Sequence, residues 1–134
     1  MGIDFGDART GIAICDKNEL LASPICVIHE TDWQACMDQI AKLTAEYKVE
    51  QLVVGYPKNM NNTEGERCEK TLEFKEMLER RTSLPVTLWD ERLTTVSADR
   101  AMIEGNIRRE DRKQYVDKLA AVFILQVYLD SLKL

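Results

Sequence analysis

The chain has 134 residues, of which 45% are hydrophobic and 31% are charged, and these values are typical of one globular domain with its own core. Its formal net charge of −5 argues against a protein that coats nucleic acid through bulk positive charge. The apolar run near residues 119–129 is too short to span a bilayer, and no signal-peptide pattern is present, so we expect a cytoplasmic protein without a membrane partner.

The opening stretch, residues 1–14, predicts a β-hairpin in which two apolar runs flank a turn containing Gly6 and Asp7. Asp4 lies within the first apolar run, in a strand that we expect to be central. A carboxylate in such surroundings is costly unless another group pairs with it. Turn capping is the alternative role for an aspartate close to a glycine.

The next segment has a strand–helix–strand pattern. Leu20–Ile28 is the predicted third strand, in which Pro24 fits an edge or a bulge. Thr31 and Gln34 have the spacing of a capping box, so a helix should begin at Thr31. A strand is predicted at Gln51–Gly55, and this order indicates a parallel pair with a right-handed crossover. The apolar stripe of the helix comprises Trp33, Cys36, Ile40, Leu43 and Tyr47.

The second half of the chain continues the alternation of helices and strands. Thr63 and Glu66 form a second possible capping box, which predicts a helix ending near Arg81. The elements expected after it are a strand at Pro85–Trp89, a helix from Thr94 or Thr95 to Gly105, a charged mobile segment at 106–113 and a last helix at about Gln114–Leu132. The whole pattern indicates one α/β domain over residues 1–134.

Acidic residues occupy three positions where a metal site could form: Asp4, the pair Asp90–Glu91, and Asp117. Asp90 and Glu91 would point to opposite faces of a continuing strand, and a solvated charge run is the alternative for them. Asp117 begins an apolar stripe of the last helix, where a salt bridge or a favourable charge in the first turn is the alternative. If the three positions converge, their oxygen ligands suit Mg²⁺ or Mn²⁺ and the hydrolysis of phosphodiesters.

Basic side chains cluster around Asp117, although the chain as a whole is acidic. Arg109, Arg112 and Lys118 belong to this cluster, which is a candidate phosphate-binding patch. A solvated run that merely balances charge is the alternative. In the polar loop that follows the fourth strand, Tyr56 could stack on a base and Lys58 could contact a phosphate.

Four motifs, in order, resemble the YqgF-type family, whose members are known as Holliday junction resolvases or pre-16S ribosomal RNA nucleases. The motifs lie at Gly2–Gly11, Val54–Gly65, Asp90–Thr95 and Asp117–Ala121. The resemblance implies a ribonuclease-H-like α/β fold, with a mixed five-stranded sheet flanked by α-helices. It also implies that Asp4, Glu91 and Asp117 are the catalytic and metal-binding carboxylates.

The function implied by the resemblance is a Mg²⁺- or Mn²⁺-dependent nuclease that processes the 5′ end of pre-16S rRNA. A Holliday junction resolvase acting on branched DNA and a non-catalytic RNA- or ribosome-binding module are the alternatives. A nucleotide-binding enzyme like the actin-like ATPases would need two such domains. Ribosomal components are further candidate partners of a monomer or homodimer. The full set of candidate substrate-binding residues is Arg9, Tyr56, Lys58, Asn59, Arg92, Arg109, Arg112 and Lys118.

Overall fold

The computed structural model describes residues 1–18, 21–56, 66–90 and 109–132, with the backbone alone at 66, 67, 90 and 109–118. This part of the chain forms five strands and three helices. In chain order they are β1 (Gly2–Asp4), β2 (Arg9–Cys15), β3 (Ala22–His29), α1 (Trp33–Glu46), β4 (Leu52–Tyr56), α2 (Glu66–Thr82), β5 (Val86–Asp90) and α3 (Arg109–Ser131).

The strands form one mixed sheet in the order β3-β2-β1-β4-β5. β2 is antiparallel to both β1 and β3, whereas β4 is parallel to both β1 and β5. The predicted opening hairpin, the central position of Asp4 and the mixed five-stranded sheet are therefore confirmed. The predicted pairing of β3 with β4 is wrong, because β4 pairs with β1 and not with β3. The two hairpins leave one side of β1 and one side of β3 open, and β4 occupies the side at β1.

Pro24 lies in β3, an edge strand, as its chemistry predicts. It is the partner of Ala13, directly beside a shift in register between Ile12 and Ala13. A proline cannot donate a ladder hydrogen bond, so an edge position beside an irregularity accommodates it at little cost.

Helix α1 begins one residue later than the capping-box pattern predicts. Asp32 is its N-cap, and the carboxylate of Asp32 accepts a hydrogen bond from the Gln34 N–H at 3.0 Å. The N–H groups of Thr31 and Asp32 instead donate to the Glu30 carboxylate. The prediction that Thr31 starts the helix is wrong, because the acidic side chain one position further on satisfies a free N–H of the first turn.

The buried stripe of α1 differs from the predicted one at its end. Cys36 and Ile40 are buried as expected, and Met37 and Thr44 are buried with them. Tyr47 is 44% exposed and forms the C-cap of the helix, so its predicted place in the core is wrong. The regular helix has ended at this position, and the 3.6-residue period no longer fixes the direction of its side chain.

Helices cover both faces of the sheet, and each covered face has its own apolar cluster. Ile3, Ile12 and Val54 pack against α1 and α2, where Phe5 stacks on Phe74 with ring centroids 4.2 Å apart. Residues adjacent to these in the strands point the other way and pack against α3. This second cluster comprises Ala13, Val53, Ala121, Ile124, Leu125 and Leu129. The clusters identify the face of the sheet to which each strand residue points.

Helix α3 begins at Arg109, five residues before the predicted start at about Gln114. The predicted start of this helix is therefore wrong, and the mobility of residues 109–113 stays a prediction. These residues include no helix breaker, and the acidic residues at 110 and 111 suit the positive end of the helix dipole. Residues 106–108, the predicted helix at 94–105 and the capping residue Thr63 lie outside the described residues. Among the described helices, none has the length and apolarity needed to cross a membrane.

Candidate active site

Asp4 is the last residue of the central strand and lies on the face of the sheet that α3 covers. Its side chain is half-buried, and its partner across the β1–β2 ladder is Gly11. A Cβ atom placed on Gly11 would lie 3.5 Å from Ala121 Cβ and 3.8 Å from Asp4 Cβ. Asp4 is therefore held beside α3, at a point where the absence of a side chain on Gly11 leaves space between strand and helix.

The contacts with β1 fix the direction of α3 across the sheet. Ala121 lies near the Asp4 end of β1, whereas Leu125 lies over Gly2. The N-terminal half of α3 therefore extends beyond the carboxyl end of β1. Position 117 is one helical turn before Ala121, on the same side of the helix and about 6 Å closer to this edge. The fold thus brings the backbone of Asp117 towards Asp4.

Parallel strands end at the same edge of the sheet, and this relation places the end of β5 near Asp4. Ile3 pairs with Val54, and the next residue of β4, Gly55, pairs with Trp89. Asp4 and Trp89 are therefore at the same level, two strands apart. Such a carboxyl edge is where functional sites form in open α/β sheets.

The residues of β5 alternate between the two faces of the sheet up to the end of the strand. Leu88 packs with the cluster on the α1 and α2 side, whereas Trp89 packs on the α3 side, 5.6 Å from the Tyr128 ring. Residue 90 follows Leu88 by two positions, and residue 91 follows Trp89 by two. Residue 91 lies outside the described residues, so the choice between Asp90 and Glu91 stays a prediction.

Two of the predicted substrate-binding residues have described side chains. Arg9 is exposed at the start of β2, two residues from Gly11, and therefore lies on the same face as Asp4. Tyr56 ends β4 and is only 9% exposed, so little of its ring is open to a stacking base. A role in substrate binding stays a prediction for both residues.

Except for that of Asp4, the side chains of the other predicted site residues are not described. Lys58, Asn59, Glu91 and Arg92 lie outside the described residues, and for Arg109, Arg112, Asp117 and Lys118 the helical backbone is described. Among residues with described side chains, no group of three histidine, cysteine, aspartate or glutamate residues could hold a metal ion. Asp4 is the member of the predicted triad with a described side chain, so the metal site stays a prediction.

Comparison with known proteins gives consistent matches over almost the whole chain. Residues 1–131 match the family described as "RuvX: Holliday junction resolvase". A protein of Agathobacter rectalis named "Putative pre-16S rRNA nuclease" is 53% identical over 135 residues, covering 98% of this chain and 94% of the relative. A protein of the same name from Clostridium novyi is 46% identical over 132 residues and covers 98% of both chains.

The fold also resembles a solved structure. The RuvC structure of Thermus thermophilus superposes with a TM-score of 0.51 at 14% sequence identity, and the match covers 72% of this chain and 66% of RuvC. At this identity the likeness bears on the fold. With the order and directions of the five strands, it confirms the predicted ribonuclease-H-like architecture.

Proposed function

The chain belongs to the RuvX family of Holliday junction resolvases, and on this premise we propose that it is a divalent-metal-dependent nuclease that processes the 5′ end of pre-16S rRNA. The observation that carries the proposal is the position of Asp4, half-buried at the carboxyl end of the central strand and beside α3. The names of the relatives from Agathobacter rectalis and Clostridium novyi support the RNA substrate. The match over residues 1–131 supports a single nuclease domain.

Asp4, Glu91 and Asp117 are the proposed catalytic and metal-binding carboxylates. The direction of α3 supports Asp117, because its position lies one turn beyond Ala121 towards the edge where Asp4 stands. The opposite packing of Leu88 and Trp89 supports Glu91 over Asp90, because residue 91 would share the face of Trp89 and Asp4 if the alternation of β5 continued. Each residue would come from a different element, so the fold itself would hold the three carboxylates together.

The chemistry of these donors fits a hard divalent cation, and we propose Mg²⁺ or Mn²⁺. Both ions prefer carboxylate and water oxygen, and the proposed set contains carboxylates alone. When bound, such a metal activates water and stabilises charge developing on the phosphoryl group. Asp4 would hold its ligand oxygen on a rigid central strand, and α3 would limit the access of water from one side.

The substrate would lie across the carboxyl edge of the sheet. The exposed position of Arg9 supports a phosphate contact on the face of Asp4. Further contacts with the substrate would come from the other predicted binding residues, which are Lys58, Asn59, Arg92, Arg109, Arg112 and Lys118. With an rRNA precursor as substrate, the protein would act in the cytoplasm, and ribosomal components would be further partners of a monomer or homodimer. The family description favours branched DNA as a second candidate substrate.

The proposed activity can be tested on purified protein with two labelled substrates. One is an RNA that contains the junction between the 5′ leader and mature 16S rRNA, and the other is a four-way DNA junction. We expect cleavage of the RNA at this boundary with millimolar Mg²⁺ or Mn²⁺ and no cleavage with EDTA. Cleavage of the DNA junction alone would establish the second candidate, and cleavage unaffected by EDTA would contradict the metal dependence.

Asp117→Asn should stabilise the metal-free protein. Three carboxylates held close together repel one another without a cation, so removing one charge and keeping its shape should relieve repulsion. We expect a gain of about 1 kcal/mol in the free energy of unfolding in EDTA. Added Mg²⁺ should raise the melting temperature of wild type more than that of the variant, because the metal binds the folded site.

The matched control for this prediction is Asp130→Asn, which makes the same change at the exposed far end of α3. Its response to Mg²⁺ in thermal melts should equal that of wild type. If Asp117→Asn melts below wild type in EDTA and responds equally to Mg²⁺, Asp117 is a structural residue and the three-carboxylate site is wrong.

A further inference from the structure

The chain's single histidine, His29, lies beside Arg9 at the carboxyl edge of the sheet. The two residues are direct partners in the β2–β3 ladder, and both side chains are exposed. Side chains directly opposite each other in an antiparallel pair have Cβ atoms about 5 Å apart. Arg9 and His29 are therefore exposed neighbours, which we term the Arg9–His29 pair.

Packing of the adjacent residues fixes the face on which this pair stands. Thr10 is buried, and its hydroxyl accepts a hydrogen bond from Cys36 Sγ of α1 at 3.6 Å. Burial raises the pKa of the Cys36 thiol, which keeps it a donor at neutral pH. Ile28 is buried in the same α1-side cluster. Because strand residues alternate, Arg9 and His29 point to the opposite face, which is the face of Asp4.

Strand geometry gives the distance between the pair and Asp4. Asp4 pairs with Gly11, and Arg9 is two residues further towards the edge on the same strand. With strands about 4.8 Å apart and about 3.3 Å per residue, the Cα atoms of Arg9 and His29 lie roughly 8 Å and 12 Å from that of Asp4. Arg9 on β2 and His29 on β3 therefore lie at increasing distances from the proposed site on β1.

The acidic residues nearest to the pair in sequence are engaged by other groups. Asp7 lies 3.6 Å from the Lys70 ammonium group of α2. The Glu30 carboxylate accepts hydrogen bonds from the N–H groups of Thr31 and Asp32 at 3.1 and 3.2 Å. These carboxylates therefore have partners other than the imidazole of His29, which is exposed and can present an N–H donor to an anion.

We infer that the Arg9–His29 pair binds the RNA backbone next to the phosphate that is cut. The path of the substrate then runs from Asp4 across β2 to the outer strand β3. An arginine fork suits phosphate oxygens, and an imidazole donates an N–H in either protonation state. Such contacts position the strand without reading its sequence. The inference rests on the proposed nuclease function for its substrate, and His29 acts as a positioning residue.

The test measures RNA affinity with variants that change charge at His29. The probe is a fluorescein-labelled RNA stem–loop with a single-stranded 5′ extension, bound by proteins that also carry Asp4→Asn and followed by anisotropy. We expect His29→Glu to weaken binding about tenfold, because it places an anion against phosphate. His29→Arg should tighten binding and make the dependence of log K on log salt steeper by roughly 0.7 to 0.9.

Gln39 supplies the matched control, since it is exposed on α1, on the opposite face of the sheet. Gln39→Glu and Gln39→Arg make the same changes in net charge and should alter the affinity by less than about twofold at physiological salt, where distant exposed charges are screened. In protein with Asp4 intact, His29→Glu should raise KM for RNA cleavage and leave kcat and the melting temperature near wild type. A purely structural role would not give this combination.

The outcomes separate the inference from the function on which it rests. Equal affinities for wild type, His29→Glu and His29→Arg, or equal shifts for the His29 and Gln39 variants, would overturn the proposed path. If wild type cleaves RNA and the His29 variants bind like wild type, the nuclease function stands and the path is wrong. If His29 has the expected effects but wild type cleaves nothing, the path stands as an RNA-binding surface and the nuclease function is wrong.

Discussion

Asp4→Asn is expected to abolish metal-dependent cleavage, with a fall in rate of roughly a hundredfold or more. Groups that merely orient a metal ligand already change affinity or activity by about 10–100-fold, so the loss of a direct anionic ligand should cost at least as much. An asparagine has nearly the same shape and keeps one oxygen, but it lacks the negative charge that a divalent cation requires. We expect the half-buried position at the end of β1 to accept this uncharged group with little change in packing.

The measurement compares cleavage rates at saturating Mg²⁺ for wild type, Asp4→Asn and Asp16→Asn. Asp16 is exposed directly after the end of β2, at the opposite edge of the sheet, so the same substitution there should leave the rate unchanged. Circular dichroism should be the same for all three proteins. Cleavage by Asp4→Asn at the wild-type rate would mean that the reaction takes place elsewhere on the molecule.

Local sequence patterns predicted those parts of the fold that depend on local interactions. The opening hairpin, the edge position of Pro24 and the existence of each described helix follow from apolar periodicity and turn residues. The partner of β4 does not, because the two hairpins leave one side of β1 and one side of β3 open, and local patterns do not choose between them. The N-cap of α1 could not be assigned from sequence either, because Thr31 and Asp32 can both cap a helix.

In the candidate site, too, some residues can be identified from the local sequence, whereas others depend on tertiary packing. An aspartate within an apolar run marked Asp4 from sequence alone. Residue patterns left Asp90 and Glu91 as equals, because their faces have meaning only when the position of α3 is known. The packing of Trp89 on the α3 side supports Glu91, whose place in the site stays a prediction. His29 has no motif around it, and only its register opposite Arg9 points to a role.

Gly2→Ala should destabilise the protein and also impair the active site, although the same change usually stabilises a strand. A Cβ atom on Gly2 would lie 2.7 Å from Leu125 Cβ and 2.8 Å from the carbonyl oxygen of Ala121. Neither atom lies at the end of a flexible side chain, so the added methyl group must push α3 away from β1. We expect a loss of about 1–3 kcal/mol in the free energy of unfolding, which is typical of an overpacked core.

Displacement of α3 would also move position 117 away from Asp4, because the helix carries both Ala121 and Asp117. A misplacement of about 1 Å in a catalytic arrangement can cost roughly a hundredfold in rate. The cleavage rate of Gly2→Ala, measured well below its melting temperature, should therefore fall by much more than the unfolded fraction explains. Higher Mg²⁺ concentrations should restore part of it if weakened metal binding is the cause.

Gly11→Ala is the matched control for the effect on stability. Its Cβ would lie 3.5 Å from Ala121 Cβ, an ordinary contact, and alanine loses less conformational freedom than glycine on folding. We therefore expect Gly11→Ala to melt at or above the wild-type temperature while Gly2→Ala melts below it. If both variants were as stable as wild type and Gly2→Ala cleaved RNA at the wild-type rate, close packing of α3 on β1 would not hold the carboxylates in place. Asp4 and Asp117 would then have to meet by another arrangement of the helix.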